Sequence, residues 1–229
     1  MNLPSNVEHA RFNMIEQQIR PWDVLDPDVL EILTLVKREK FVPLGHQALA
    51  FVDMEIPLLG TAEDALLNGH CMLAPKVEAR MLQHVSPQPR ERVLEIGAGS
   101  GYMAALLACR AQRVITLEID SALAQLAAAN LRQGGVTNAE VRQADGAQGL
   151  AGEAPFDVIV LSGSVSHVPP VLLAQLKIGG RLGAIVGFEP IMRATFITRT
   201  GQDSYATVQP WDTLAPRLAH FTEPSSFTF

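Results

Sequence analysis

The sequence is short of cysteine, of excess positive charge and of long apolar runs, and each shortage closes off a class of protein. Only Cys71 and Cys109 occur among 229 residues, too few for the disulfide framework of a small secreted fold. No charged leader followed by an apolar signal core opens the chain, so the expected location is cytoplasmic. Lys and Arg number 18 against 24 Asp and Glu, a formal net charge of -6, which offers no positive field to gather nucleic acid or anionic lipid. Apolar stretches are broken by Asp, Glu, Arg or Gly well short of the roughly 20 residues that span a bilayer, so no membrane passage is expected. Six histidines, at 9, 46, 70, 84, 167 and 220, show no paired metal-ligand spacing, and no metal is expected. Internal repeats and low-complexity tracts are absent as well. What remains is a chain that is 48 % hydrophobic, enough for one sizeable core.

Two regions of different grammar follow one another. Residues 7–19 place Met14, Ile15 and Ile19 at helical spacing before Arg20-Pro21 interrupts. Asp26-Pro27 fits an N-cap with proline in the first turn. Val29, Leu30, Ile32, Leu33, Leu35 and Val36 then give a broad apolar helical face, in a run that ends at Phe41-Val42-Pro43. Residues 44–73 are irregular, with Pro57, Gly60 and Gly69 as breakers, and read as loop or lid. Pro75 opens a helix with Val77, Met81, Leu82 and Val85 on one side. After Pro89, apolar strands alternate with amphipathic helices, the pattern of an α/β fold with a doubly wound, mostly parallel sheet. Strands are predicted at 92–96, 113–117, 139–142, 156–161 and 181–186, and helices at 102–111, 121–133 and 169–176, with Asp120 as an N-cap. Residues 194–198 and 204–208 alternate as antiparallel strands would, and Phe221, Phe227 and Phe229 predict a tail that packs. The expected organisation is an N-terminal helical and lid region, 1–90, leaning on a sheet domain, 91–229, as one structural unit.

The most specific local signal is Val93-Leu94-Glu95-Ile96-Gly97-Ala98-Gly99-Ser100-Gly101-Tyr102, a strand running into three alternate glycines and then a helix. Glycines there permit a tight turn and close approach of backbone to a ligand, and ligands of open α/β sheets lie beyond the carboxyl ends of the strands. The dinucleotide pattern G-x-G-x-x-G does not fit, because the third glycine falls one residue too early and Glu95 would repel a pyrophosphate. That acid suits instead a ligand carrying an ammonium and a sulfonium, such as S-adenosylmethionine. Glu118, in Leu117-Glu118-Ile119-Asp120, stands about 20 residues past the glycines, where a carboxylate grips a ribose diol. Asp145, in Ala144-Asp145-Gly146, could accept from an adenine amino group while Gly146 leaves room for the ring. Blander readings stay open: a plain glycine turn, Glu118 as a solvated helix start with Asp120 in its role, Asp145 as an N-cap. Asp157 reads as structural, and Trp22 and Trp211 as apolar anchors or walls of a substrate groove.

In chain order, Glu95-x-Gly97-x-Gly99-x-Gly101, Glu118, Asp145-Gly146, Pro155-Phe156-Asp157 and Gln175-Leu176-Lys177-Ile178-Gly179-Gly180 resemble a class I S-adenosylmethionine-dependent methyltransferase. Arg38-Glu39-Lys40-Phe41-Val42-Pro43, Asp53 with Ile56-Pro57-Leu58, and Pro75 with Ala79-Arg80-Met81 narrow the likeness. With them the chain is similar to the protein-L-isoaspartate O-methyltransferase family over roughly residues 10–187. The resemblance implies a seven-stranded Rossmann-like methyltransferase sheet. It also implies a repair enzyme that methylates the abnormal carboxylate of isoaspartyl residues in aged proteins and releases S-adenosyl-L-homocysteine. Carried onto this chain, the cofactor residues are Glu95, Gly97, Ala98, Gly99, Ser100, Gly101, Glu118, Ile119, Asp145 and Gly146. No nucleic-acid or membrane partner is expected, and the chain is expected to be a monomer or weak homodimer.

The departure lies on the acceptor side. The family carries its active-site serine in a Thr-Ile-Ser segment just before an x-Pro pair. With Pro75 aligned to that proline, Cys71-Met72-Leu73 takes the segment's place and Leu73 the serine's. Residues 61–68 lengthen the loop that should close over the site, and a family histidine three positions past the proline corresponds to Glu78. No catalytic residue is assigned, and His70 and Cys71 are the candidate replacement donors. A carboxylate acceptor is already ionised at pH 7, so alignment is the main requirement. Loss of a positioning donor costs on the order of 1 to 3 kcal/mol, roughly ten- to a hundredfold in rate. The alternatives are a small-molecule or different protein acceptor, and a noncatalytic cofactor-binding chain.

Overall fold

The computed structural model describes residues 6–223. Helix α1 (Asn6–Asn13) runs into a wider helical turn, Met14–Ile19, that buries Met14, Ile15 and Ile19. Helix α2 (Pro27–Leu35) starts as its sequence predicts, with the Asp26 carboxylate accepting from the Asp28 N–H at 2.9 Å. It ends at Leu35, short of the predicted boundary, because Val36 turns extended and Arg38 is drawn into the core. There Arg38 pairs with Glu78 and donates from Nε to the Ala50 carbonyl at 3.0 Å. The segment 44–73, predicted as loop, holds more structure than expected. Strands β1 (Ile56–Pro57) and β2 (Cys71–Met72) pair antiparallel around helix α3 (Ala62–Asn68). That helix is capped by Thr61, whose hydroxyl accepts from the Asp64 N–H, and is stopped by Gly69 at φ +73°. Helix α4 (Pro75–Val85) follows with proline in its first turn.

The sheet comprises β3 (Arg92–Ile96), β4 (Arg113–Glu118), β5 (Ala139–Gln143), β6 (Phe156–Val165), β7 (Leu176–Phe188), β8 (Ile191–Arg199) and β9 (Tyr205–Thr213). Their spatial order is β5-β4-β3-β6-β7-β8-β9, the first five parallel and the last two antiparallel. Helices α5 (Tyr102–Ala108), α6 (Ser121–Gln133) and α7 (Pro170–Ala174) connect the parallel strands. The Asp120 carboxylate caps α6 from both Ala122 and Leu123 N–H groups. Helix α7 is shorter than predicted because Leu176 already pairs with Phe156 in the sheet. Asp157 is structural: it accepts from Lys177 Nζ at 2.8 Å and from the Arg92 N–H at 2.9 Å.

Alternation along the strands divides the core. Val93, Val114, Val158, Val160 and Ile185 face the N-terminal helices with α4, α5 and α6. Leu94, Ile96, Ile115, Leu117, Ile159 and Leu161 face a thinner cover of Ala147, Leu150, α7 and Phe221. Phe221 packs as predicted; Phe227 and Phe229 lie outside the described residues. The β5 edge is polar and the β9 edge mixed, with Tyr205 and Val208 also exposed on β9. On β5, Glu140 bridges Arg113 and Arg142, and Glu153 joins both arginines. On β9, Gln209 and Pro210 are exposed. Among the described residues no helix is long and apolar enough to cross a membrane.

Candidate functional site

The turn after β3 owes its shape to positive backbone angles at Gly97 (+93°), Gly99 (+51°) and Gly101 (+82°), a region that side chains with a Cβ avoid. The Gly97 and Ala98 N–H groups both donate to the Leu117 carbonyl, at 2.8 and 3.2 Å, which ties the turn to the end of β4. The Gly99 N–H donates to Glu118 Oε2 at 2.9 Å, while Glu118 Oε1 accepts from the Asp120 N–H at 3.1 Å. Asn130 Nδ2 donates to the Ser100 carbonyl at 2.9 Å from α6. Gly101 packs so closely on α6 that an added Cβ would stand 3.1 Å from the Ala127 carbonyl oxygen.

Glu95 is fully buried at the end of β3. Its Oε1 accepts from Ser162 Oγ at 2.7 Å, and its Oε2 has no partner. Burial pushes this carboxyl up to about 8, with the Ser162 and Thr116 hydroxyls pulling the other way and the Glu78 and Glu118 charges adding to the rise. A buried carboxyl with an unsatisfied oxygen, beside backbone opened by glycines, fits a cationic ligand group. Asp145 lies past the end of β5, and its Oδ1 accepts from the Ala147 N–H at 2.9 Å. Desolvation raises the Asp145 carboxyl, but the Ala147 amide and His220 outweigh it and hold the group below the usual range. At Gly146 an added Cβ would reach 2.4 Å from Ile96 Cγ2, so the backbone sits directly on the core. Gly97, Gly99, Glu118, Ile119, Asp145 and Gly146 thus line one pocket at the carboxyl ends of β3, β4 and β5, and Glu95 lies buried behind its wall, held by Ser162, which does line it. Ala98 and Ser100 are buried in the turn and support it.

This pocket is partly filled by the chain itself. β6 continues to Val165, beyond the point where β3 stops. The space beside that extension is taken by residues 216–218. Ser164 N–H donates to the Pro216 carbonyl at 2.7 Å, and Leu218 N–H to the Ser164 carbonyl at 2.9 Å. The Leu218 side chain lies on Gly97, 2.8 Å from where a Cβ would stand. His220 Nδ1 is 2.8 Å from Asp145 Oδ2. The free volume left is about 80 Å³, against about 300 to 1,000 Å³ for typical small-molecule sites. The donor and acceptor set fits a nucleoside-bearing cation, provided the segment 216–221 gives way.

On the acceptor side, Leu73 is half-buried against the core, and its carbonyl accepts from Arg38 Nη2 at 2.7 Å. Cys71 is buried, and desolvation together with the Glu55 charge pushes its thiol up to about 11. It is therefore a neutral thiol at pH 7 and a poor nucleophile. His70 and Cys71 both line the pocket. Glu78 is buried in its ion pair with Arg38 and faces no pocket. Burial raises its carboxyl and Arg38 opposes the rise. Sequence reasoning missed Ser162, although a hydroxyl closing an apolar strand is a visible signal, and it missed the seating of residues 216–220, for which no local pattern exists.

A family model described as protein-L-isoaspartate(D-aspartate) O-methyltransferase matches residues 9–211. The chain is similar to a protein-L-isoaspartate O-methyltransferase of Koribacter versatilis, 38 % identical over 189 residues, covering 82 % of this chain and 81 % of that one. Protein-L-isoaspartate O-methyltransferase 1 of Rhodopseudomonas palustris is 41 % identical over 194 residues, with 84 % and 76 % covered. Two solved structures share the fold. One, described as a protein-L-isoaspartate O-methyltransferase, superposes with a TM-score of 0.75 at 22 % identity over 94 % of this chain, which spans 66 % of that longer one. The other, a beta-aspartate methyltransferase from Plasmodium falciparum in complex with S-adenosyl-L-homocysteine, gives a TM-score of 0.75 at 18 % identity over 93 % and 99 %.

Proposed function

Since the chain belongs to the protein-L-isoaspartate(D-aspartate) O-methyltransferase family, we propose that it methylates the free carboxylate of isoaspartyl residues in proteins, with S-adenosylmethionine as donor. The observation that carries this reading is the convergence of Glu118, Asp145 and Gly146 with the glycine turn on one pocket at the carboxyl ends of adjacent strands. When bound, the cofactor supplies an electrophilic methyl group on a sulfonium. Glu118 would hold its ribose and Asp145 with Gly146 its adenine, with Ile119 on the same wall; the glycine turn, with Glu95 buried behind Ser162, would shape the side that takes the ammonium. A cation beside Glu95 favours the ionised carboxylate that burial alone disfavours. Glu118 already accepts from Gly99, so the turn is braced in place.

The acceptor needs no base, because a carboxylate is ionised at pH 7. What this chain's residues contribute is alignment and exclusion of water, with Leu73 and the neutral Cys71 as apolar walls. A second reading, a different carboxylate acceptor, is favoured by one observation: Leu73 gives the acceptor no hydrogen-bond donor. Residues 1–90 are read as packing on 91–229 as a single unit, which the shared core of Met14, Leu33, Met81 and Val158 supports. We read the protein as a cytoplasmic monomer or weak homodimer that acts on protein rather than nucleic acid, in line with its net charge of -6.

The test is transfer of a labelled methyl group from S-adenosylmethionine to an isoaspartyl peptide beside its aspartyl twin. Base-labile label on the isoaspartyl peptide alone is expected. Cofactor binding by calorimetry with no label on that peptide, but label on another carboxylate, would replace the first reading by the second.

A further inference from the structure

Beyond the β2 segment lies a cavity of about 520 Å³ that the cofactor reading leaves unused. Ala74 and Leu214 line it, whereas Cys71 and Leu218 line the cofactor pocket, so the same two stretches of chain border both. Both tryptophans of the protein stand in its wall, and each carries a cation. Lys76 Nζ is 4.4 Å from the Trp22 ring centroid, and Arg80 Cζ is 4.5 Å from that of Trp211. Lys76 is neutralised by Asp53 at 2.8 Å. Among the described residues Arg80 has no such partner. It is 9 % exposed, its Nε has no acceptor, and Trp211, 8 % exposed, has an equally unpartnered Nε1.

Arg80 lines the cavity, and among the described residues no carboxylate is paired with its guanidinium, so this wall carries a positive charge that lacks a bound counter-charge. The acids nearby do not supply it. Asp212 faces Arg193 at 3.3 Å, desolvation draws Glu55 towards its neutral form, and Asp23 acts on Arg80 only through its charge, without a hydrogen bond.

We propose that this cavity is a carboxylate subsite for the acceptor protein, taking a glutamate side chain that flanks the methylated residue, with Arg80 as its counter-charge. The Trp22 and Trp211 rings offer apolar walls for the methylene stem, and the position beside the cofactor pocket lets one peptide reach both. The inference rests on the reading of the chain as a protein carboxylate methyltransferase, but its test needs neither cofactor nor turnover.

Trp22 and Trp211 are the only tryptophans, so tryptophan fluorescence of the full-length protein reports on this cavity alone. The protein is titrated with a short peptide containing one glutamate, with its glutamine twin, and with N-acetylglutamate. A saturable change is expected with the glutamate peptide, about tenfold tighter than with the glutamine twin. Arg80→Gln should erase that difference, and Arg80→Lys, which keeps charge but loses the planar fork, should retain part of it. Should Arg80→Gln not fold, Arg80→Lys carries the comparison. Equal binding of the glutamate and glutamine peptides overturns the proposal, and so does N-acetylglutamate binding as tightly as the peptide, which would make this a site for a free acid. Glutamate-selective binding in a protein that methylates no isoaspartyl peptide would refute the methylation reading and leave the subsite standing.

Discussion

The two cavities at the carboxyl rim of the sheet are built from different materials. The cofactor pocket is largely backbone: a glycine turn and strand ends whose amides are tied to Leu117 and Glu118, with acids two residues before the first glycine and at the next strand end. The tryptophan cavity is largely side chain, assembled from segments as far apart as Trp22 and Leu214. A site made of backbone depends on angles that only glycine tolerates, so single substitutions can destroy it. A site made of side chains can be adjusted one contact at a time. That contrast also sets how each responds to perturbation.

The sharpest way to break the first site is Gly99→Val. A branched side chain at φ +51° would strain the turn and displace the amide that meets Glu118. Cofactor affinity should fall on the order of a hundredfold by calorimetry, with the fluorescence response to the glutamate peptide unchanged. Leu73→Ser acts on a residue packed against the core between Cys71, which lines one cavity, and Ala74, which lines the other. Restoring a hydroxyl donor should raise isoaspartyl turnover by about tenfold while leaving cofactor affinity alone; no gain would mean that acceptor alignment comes from elsewhere. The double change Leu218→Ala with His220→Ala removes the contacts that the chain's own segment makes on Gly97 and Asp145. Cofactor affinity should tighten several-fold, about 1 kcal/mol, because the closed arrangement is weakened. Weaker binding would show instead that this segment lines the bound cofactor.

The last comparison concerns protons. Glu95 has its carboxyl raised in the folded protein from the ordinary 4.5 to about 8. Between those values the folded state holds a proton that the unfolded chain has released, so this group lowers stability as pH rises from about 4.5 to about 8 and adds no further slope above that. Glu78, also raised, acts in the same direction. Thermal midpoints of Glu95→Gln should therefore fall less steeply with pH than those of the unaltered protein. Cofactor affinity of the unaltered protein should rise towards pH 8, and that of Glu95→Gln should not. Parallel stability profiles would mean that Glu95 is not neutral in the ligand-free protein.

Most of the sheet was legible because its signals are local. Alternation at 92–96 and the cap at Asp120 needed only neighbours in sequence, and β3 and α6 fall where predicted. Glu95, Glu118 and Asp145 could be read together because a parallel sheet delivers successive strand ends to one rim. The lid helix α3 was passed over although Thr61 and Gly69 announce its two ends, because its seven residues carry too little apolar pattern to outweigh the breakers around them. Neither the partnership of Arg80 with Trp211 nor the seating of Leu218 on Gly97 could be foreseen. Both join residues more than a hundred positions apart, and only the completed sheet brings them together.

The borders of the sheet have a consequence for the protein in a crowded solution. A strand at the margin of a sheet offers free amides and carbonyls to any extended chain, which is how fibrils and strand-swapped aggregates begin. On one margin, docking a foreign strand would disturb the Glu140, Arg113, Arg142 and Glu153 lattice. On the other, Pro210 has no N–H to give, and its neighbour Gln209 keeps that border hydrated. On the proposed function, in which the acceptor is itself a polypeptide, such margins would keep an extended acceptor segment from pairing with the sheet instead of leaving after methylation.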